Sequence, residues 1–144
     1  MLLKFHRENP MKSITVVAIL FLTNLALSGQ NLIGYNSAEI KKYMKENCED
    51  MNLNDVRNSR FKYLKYSDNY DNQTFLFFLT PDSVCKSVRQ ICDLSLRSKK
   101  VKEFDKIYSK IGVNSWLDTK NKKDYLIQLT DEEWSFVVTI EPQK

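Results

Sequence analysis

Carboxylates are the side chains of this sequence best suited to chemistry, and three of them stand together. Asp131, Glu132 and Glu133 are adjacent, and such acids can serve as a general acid and base or as calcium ligands. The segment has neither the glycine nor the ligand spacing of a calcium-binding loop. It also falls at a predicted hairpin turn, where solvated acids are common. We therefore predict no catalytic or metal-binding residue there.

Composition excludes catalysis that depends on histidine or on glycine-rich loops. The single histidine, His6, lies in a segment that we predict to be removed during export. The remaining chain then has no Ser-His-Asp or Cys-His arrangement and no histidine-ligated metal site. Only Gly34 and Gly112 lie in its interior, so no phosphate-cradling loop can form. The sequence predicts a non-enzymatic protein without cofactor or metal.

The three cysteines, Cys48, Cys85 and Cys92, leave two redox states open. Export permits a disulfide, but an odd count leaves at least one free thiol. Cys85 and Cys92 would lie about 10 Å apart in a helix or about 23 Å apart in a strand, beyond the roughly 7 Å Cα limit of a bridge. A disulfide would therefore use Cys48, and the alternative is three buried free thiols.

The first 28 residues have the order of features typical of a cleavable signal peptide. Lys12 supplies the basic start, residues 14–27 are almost wholly apolar, and Ala26 and Ser28 place small side chains before Gly29. The apolar stretch is shorter than the about 20 residues of a membrane span; an N-terminal anchor and a buried core helix are the alternatives. We expect translation to start at Met11. The mature protein, residues 29–144, would be secreted or periplasmic, without an integral membrane span.

Basic and acidic residues nearly balance. The chain has 22 basic and 18 acidic residues, and removal of the leader leaves a net charge of about +2. This argues against a protein that binds nucleic acid by neutralising phosphates. Two basic patterns fit either a binding patch or, as we prefer, the solvated face of an element. They are Lys99, Lys100, Lys102, Lys106 and Lys110 on a predicted helix, and Phe61, Lys62, Tyr63, Lys65 and Tyr66 on a predicted strand.

Two amphipathic helices are predicted. Asn36 or Ser37 can cap the first, with Glu39 completing a capping box, and residues 49–60 after it are predicted to be a loop. Ser98 can cap the second, which Gly112 would end. The apolar stripes are Ile40, Tyr43, Met44 and Cys48 in the first helix and Val101, Phe104, Ile107, Tyr108 and Ile111 in the second.

Alternation and aromatic content predict strands at residues 61–66, 74–80, 116–119, 125–130 and 134–140. Trp116 and Trp134 are each expected on the buried face of a strand. Residues 84–92 fit a helix or a strand by periodicity alone. An internal repeat favours the strand, because residues 75–84 align with residues 125–134 at an offset of 50, and the second copy leads into a clear strand.

The chain is thus predicted to form a single α+β domain of two α-β-β-β repeats, at residues 36–92 and 98–141. Their strands would form an antiparallel sheet with both helices packed on one face. The other face would be partly solvated and would offer an apolar surface to a partner. Its candidate binding residues are Leu76, Phe78, Val137 and Thr139.

A leader, the segment Gly34-Tyr35-Asn36-Ser37-x-Glu39-Ile40, a helix-to-sheet run and a duplicated Leu-x-x-Leu-Thr hairpin span the whole mature chain. Together they resemble small exported bacterial proteins with PepSY-like or β-lactamase-inhibitor-like repeats. The resemblance implies an extracytoplasmic binding or inhibitory module and assigns no functional residue.

We therefore predict a module that binds a protein partner through its open sheet face. A carrier of a small apolar ligand in a helix–sheet cavity is the alternative. An enzyme that uses carboxylates alone is disfavoured, because no two acids can be placed together in a cleft.

Overall fold

The computed structural model describes residues 31–54 and 60–144, and the predicted signal peptide lies outside them. The first half of the described chain contains α1 (Ser37–Asn47), β1 (Met51–Asn54), β2 (Tyr63–Asp68), β3 (Gln73–Leu79) and β4 (Cys85–Asp93). A short 3-10 helix (Leu94–Leu96) follows. The second half contains α2 (Arg97–Ile107), β5 (Ser109–Gly112), β6 (Ser115–Lys120), β7 (Lys123–Asp131) and β8 (Ser135–Pro142).

The eight strands form one antiparallel sheet in the order β1-β2-β3-β4-β8-β7-β6-β5. Each half of the described chain contributes four neighbouring strands, and the two sets join where β4 pairs with β8. Short connections favour this arrangement, because only antiparallel strands can be joined by tight turns. The protein is therefore a mixed α+β protein with an antiparallel sheet, as predicted.

The first helix starts with the predicted capping box. The Asn36 side chain accepts hydrogen bonds from the backbone N–H groups of Ala38 and Glu39, both at 3.0 Å, and the Glu39 carboxylate accepts one from the Asn36 N–H at 2.8 Å. These contacts satisfy N–H groups that lack partners within the helix. The helix then directs Ile40 and Met44 into the core.

The core is built from alternate strand residues and from a few helix residues. Phe104 of α2 is fully buried, and its ring lies 5.3 Å from that of Trp116, edge to face. Trp116 is thus the core anchor that the sequence predicts. Other members of the same buried cluster are Ile40, Met44, Phe75, Phe77, Leu79, Val88, Cys92, Ile127, Leu129, Phe136, Val138 and Ile140.

The segment before α1 is also buried and connects distant parts of the chain. Asn31, Leu32 and Ile33 are each less than 9% exposed. The Asn31 side chain donates a hydrogen bond to the Asp118 carboxylate in β6 at 3.1 Å. The N–H of Gly34 donates to the carbonyl of Cys85 in β4 at 2.9 Å. These residues therefore help to hold the two halves of the sheet together.

The sequence predicts three strands per unit, but each half of the described chain has four. β1 lies within the segment that was predicted to be a loop. Its asparagines give no alternating pattern, so only its pairing with β2 defines it as a strand. Further along, α2 ends at Ile107 rather than at Gly112, since Tyr108 adopts an extended conformation (φ −118°, ψ 158°). β5 follows, and Ile111, predicted on the helix stripe, is 52% exposed.

The predicted cap of the second helix and the predicted burial of Trp134 are also wrong, whereas one predicted strand is confirmed. The turn before α2 is capped by Asp93, which accepts from the Ser95 N–H at 2.8 Å, and not by Ser98. Trp134 is 79% exposed, because it precedes the first paired residue of β8. The strand predicted at the ambiguous residues 84–92 is confirmed, because β4 covers Cys85–Asp93.

Candidate binding face of the sheet

Strand residues that alternate with the core residues point away from the core, because successive side chains of a strand lie on opposite faces. We call this surface the outer face. The four predicted binding residues belong to it, and they lie on β3 and β8 with β4 between them. The outer face includes Tyr63, Lys65, Thr74, Leu76, Phe78, Ser87, Arg89, Ile91, Val137 and Thr139, with Asp93 and Glu141 toward its margins.

The register of the strands brings the candidate residues into rows. One row runs through Lys65, Leu76, Arg89 and Thr139, each opposite the next on the neighbouring strand. Adjacent strands are about 4.8 Å apart, so Leu76 and Thr139 lie roughly 10 Å apart with Arg89 between them. A second row contains Thr74, Ile91 and Val137.

The four candidates differ in their access to solvent. Leu76, Phe78 and Thr139 are partly exposed, whereas Val137 is only 8% exposed. Val137 lies outside the buried core cluster, opposite Ile91 and Thr130 on the neighbouring strands. Val137 therefore lies on the predicted face but is almost fully buried, and its role as a partner contact stays a prediction.

Phe78 is the centre of an aromatic and cationic cluster on the outer face. Its ring centroid lies 5.9 Å from that of Tyr63 on β2, and the guanidinium carbon of Arg89 on β4 lies 6.0 Å from it. A cation over an aromatic face is attracted by the ring quadrupole. Tyr63 and Arg89 are absent from the predicted site. The alternation of side chains within residues 61–66 and 84–92 could have placed both residues on the outer face.

A β-bulge extends this cluster toward the end of the sheet. Between the pairs Phe78–Ser87 and Leu79–Cys85, Lys86 has no partner on β3. The extra residue of a bulge bends the strand and redirects a side chain. Lys86 and Phe78 line a cavity of about 260 Å³ together with Phe61, which is 61% exposed. The exposed aromatic and basic residues here thus form a continuous surface.

The lysine-rich helix face is not the uniform solvated surface that the sequence predicts. Lys100 is only 6% exposed and lies in the core, where desolvation lowers its pKa. Lys110 belongs to β5 and forms an ion pair with Asp105 at 3.1 Å. On β2, Tyr66 also points to the core and is 4% exposed, so it does not join Tyr63 at the surface.

The acidic triplet has a structural role. Asp131 pairs with Arg97 through two hydrogen bonds of 2.5 and 2.9 Å, which lower the pKa of the Asp131 carboxyl. Glu132 accepts a hydrogen bond from the Ser135 hydroxyl at 3.1 Å across the hairpin turn. Within residues 31–54 and 60–144, no group of three or more His, Cys, Asp or Glu side chains could hold a metal ion.

All three cysteines are free thiols. Cys85 and Cys92 are 2% and 1% exposed, and burial raises the pKa of each to about 11. Cys48 is partly exposed, and burial also raises its pKa. Protonated thiols are poor nucleophiles. This arrangement matches the alternative of three free thiols that act as small apolar side chains.

A cavity beside the end of α1 has the wrong chemistry for an apolar ligand. It measures about 470 Å³, and its lining includes Cys48 and Phe75 beside the acidic residues Glu49, Asp50 and Asp68. Carboxylates keep water in such a cavity, because desolvating them is costly. The carrier alternative therefore gains no support from this cavity.

Comparison of the chain with protein-family models, with curated proteins and with solved structures finds no match. None of the helices in the described ranges is long and apolar enough to cross a membrane.

Proposed function

We propose that this protein is an exported, non-enzymatic module that binds a protein partner through its outer face. The observation that carries the proposal is the Phe78 cluster, in which two partly exposed aromatic rings and an exposed arginine stand together on one face of the sheet. Aromatic residues and arginine are the types most enriched at the centres of protein interfaces. The leader supports export, because its basic, apolar and small-residue segments have the order of a signal peptide.

The proposal includes two related units with both helices against the core side of the sheet. Helices α1 and α2 are each 11 residues long, and in both the fourth and eighth residues are buried. These residues are Ile40 and Met44 in α1, and Lys100 and Phe104 in α2. The antiparallel pairing of β4 with β8, the last strand of each half, is what a two-fold relation between units would produce. Such an arrangement leaves the outer face open to a partner.

A protein partner suits this surface better than a small molecule does. Small ligands bind in concave sites that bury most of their surface, whereas the outer face presents side chains across β2, β3, β4 and β8. Leu76, Phe78 and Thr139 are partly exposed and lie on two strands, β3 and β8, and in two rows of the sheet. A partner that covers the face would contact several of them at once.

Capture of a partner by wild type and by matched variants tests the proposal. The full chain with a C-terminal tag is produced in an export-competent host, and the purified protein is used to capture proteins from the host's envelope and medium. We expect a saturable partner that Phe78→Asp loses and that Val113→Asp retains, since Val113 is 85% exposed in the β5–β6 turn, outside the outer face. Circular dichroism checks that both variants remain folded. A partner that folded Phe78→Asp still binds with full affinity would contradict the proposal.

A further inference from the structure

The outer face carries cations without acidic partners. Among the described residues, no carboxylate oxygen lies within 4.0 Å of the side-chain nitrogens of Lys65, Lys86 or Arg89. Elsewhere in the same ranges, cations do pair with nearby acids: Arg97 with Asp131, Lys100 with Glu103, and Lys110 with Asp105. Most other lysines of these ranges also lack an acidic partner, and what distinguishes Lys65, Lys86 and Arg89 is that they lie around the partly exposed Phe78 cluster.

The positions of these cations are set by the register of the sheet. Lys65 and Arg89 occupy the two strands that flank Leu76, directly opposite it. With about 4.8 Å between neighbouring strands, the Cα atoms of these two residues lie roughly 10 Å apart. Phe78 lies two residues along from Leu76 on the same face of β3. The surface therefore presents an apolar centre between two positive charges. Lys86 adds a third positive charge at the bulge, toward the end of the sheet.

Acidic residues on this face lie toward its margins. Asp93 stands at the end of β4, where it caps the following turn, and Glu141 stands near the end of β8, opposite Leu126. Neither pairs with Lys65 or Arg89. The centre of the face is thus positively charged, although the mature chain is nearly neutral. A partner that complements it must carry negative charge.

We propose that the partner segment recognised by the outer face is an acidic peptide in which an apolar residue stands between two carboxylates. This inference rests on the proposed function and identifies the chemistry of its partner. Alternate residues of an extended peptide share one face and the chain advances about 3.3 Å per residue, so in Glu-x-Phe-x-Glu both carboxylates and the ring can face the sheet, with the carboxylates roughly 13 Å apart and within reach of the long side chains of Lys65 and Arg89. The apolar residue between them would pack on Leu76 and Phe78. Three cations are too few for a protein whose affinity comes from neutralising many phosphates.

A synthetic peptide tests the inference directly. The probe is the fluorescein-labelled decapeptide Gly-Ser-Gly-Glu-Gly-Phe-Gly-Glu-Gly-Ser, and its control replaces both glutamates by glutamine. By fluorescence anisotropy, we expect the glutamate peptide to bind the purified protein at least tenfold more tightly than the glutamine peptide. Raising NaCl from 50 to 500 mM should lower the affinity for the glutamate peptide severalfold, because salt screens exposed charges. Equal binding of both peptides, or no binding of either, would overturn the inference.

Variants and a second probe complete the test. Lys65→Gln and Arg89→Gln should each lower affinity for the glutamate peptide about fivefold, whereas Lys123→Gln, at the β6–β7 hairpin, should leave it unchanged. A ten-residue oligothymidylate that binds more tightly than the peptide, with the same dependence on Lys65 and Arg89, would overturn the peptide assignment. If a captured partner requires Phe78 but is insensitive to salt and to both glutamine variants, the inference fails while the proposed function stands.

Discussion

The guanidinium carbon of Arg89 lies 6.0 Å from the centre of the Phe78 ring, across the β3–β4 pair of the sheet. The two residues are not directly opposite each other, since Phe78 faces Ser87 and Arg89 faces Leu76. Their contact is therefore diagonal, a distance that long and aromatic side chains can bridge. It orients the arginine over the surface where we place the partner.

A double-mutant cycle should detect this contact in the stability of the free protein. We expect Phe78→Leu and Arg89→Ala to be coupled by about 0.5–1 kcal/mol in the free energy of unfolding, the usual size of an exposed cation–π interaction. Urea denaturation of wild type, both single variants and the double variant measures the coupling. Additive effects of the two substitutions would show that the ring and the guanidinium do not interact in solution.

The buried segment before α1 should contribute strongly to stability. Leu32 is 2% exposed, and Leu32→Ala should lower the free energy of unfolding by about 2–4 kcal/mol, as large-to-small changes in a core do. Leu53→Ala is the matched control, because Leu53 is 47% exposed on the edge strand β1, and we expect a loss of less than about 0.5 kcal/mol. Similar losses in the two variants would contradict the placement of Leu32.

Thiol accessibility should separate Cys48 from the other two cysteines. Cys85 and Cys92 are almost fully buried, whereas Cys48 is partly exposed with a raised pKa. In native protein at pH 8, iodoacetamide should modify Cys48 slowly and leave Cys85 and Cys92 intact; in denaturant all three should react. Mass spectrometry of digested protein identifies the modified residues. Fast native labelling of Cys85 or Cys92 would show that the core opens there.

The buried thiols should make the protein less stable above pH 9. Burial raises the pKa of Cys85 from 9.0 to about 11, so the unfolded chain loses this proton at a lower pH than the folded chain does. The stabilisation is fully present below pH 9 and is lost as pH rises through 11, by about 2–3 kcal/mol per thiol.

Comparison with an alanine variant isolates that effect. Cys85→Ala will be less stable at pH 7, because it removes a buried side chain. Its free energy of unfolding should nevertheless fall less steeply than that of wild type between pH 9 and pH 10, where tyrosines such as Tyr43, whose pKa burial raises, contribute equally to both proteins. Chemical denaturation at several pH values gives both slopes, and identical slopes would exclude a raised pKa for Cys85.

The two tryptophans should report different environments. Trp116 is fully buried and donates a hydrogen bond to Asp105 at 2.8 Å, whereas Trp134 is 79% exposed. Trp134→Phe should leave blue-shifted emission that iodide quenches poorly. Trp116→Phe should leave red-shifted emission that iodide quenches well, and it should also destabilise the protein. Equal quenching in the two variants would contradict these placements.

Several local features of the fold could be predicted because short-range chemistry determines them. Asn36 and Glu39 form their capping box within one helical turn, and strict alternation identified β7 and β8. The sequence alignment at an offset of 50 residues predicted a strand at residues 84–92, and β4 lies there. Alternation also placed Leu76 and Phe78 on the face away from the core, since side-chain direction in a strand has a period of two.

Other features depend on residues that are distant in the sequence, and only the tertiary structure decided them. β1 carries no alternating pattern of its own and becomes a strand by pairing with β2. Helix α2 ends earlier than predicted, and the chain continues into β5, which pairs with β6. Lys100 is buried and Trp134 exposed, although local periodicity placed each the other way. The grouping of Phe78 with Tyr63 and Arg89 follows from strand order and register, because pairing across three strands brings together residues that no local spacing connects.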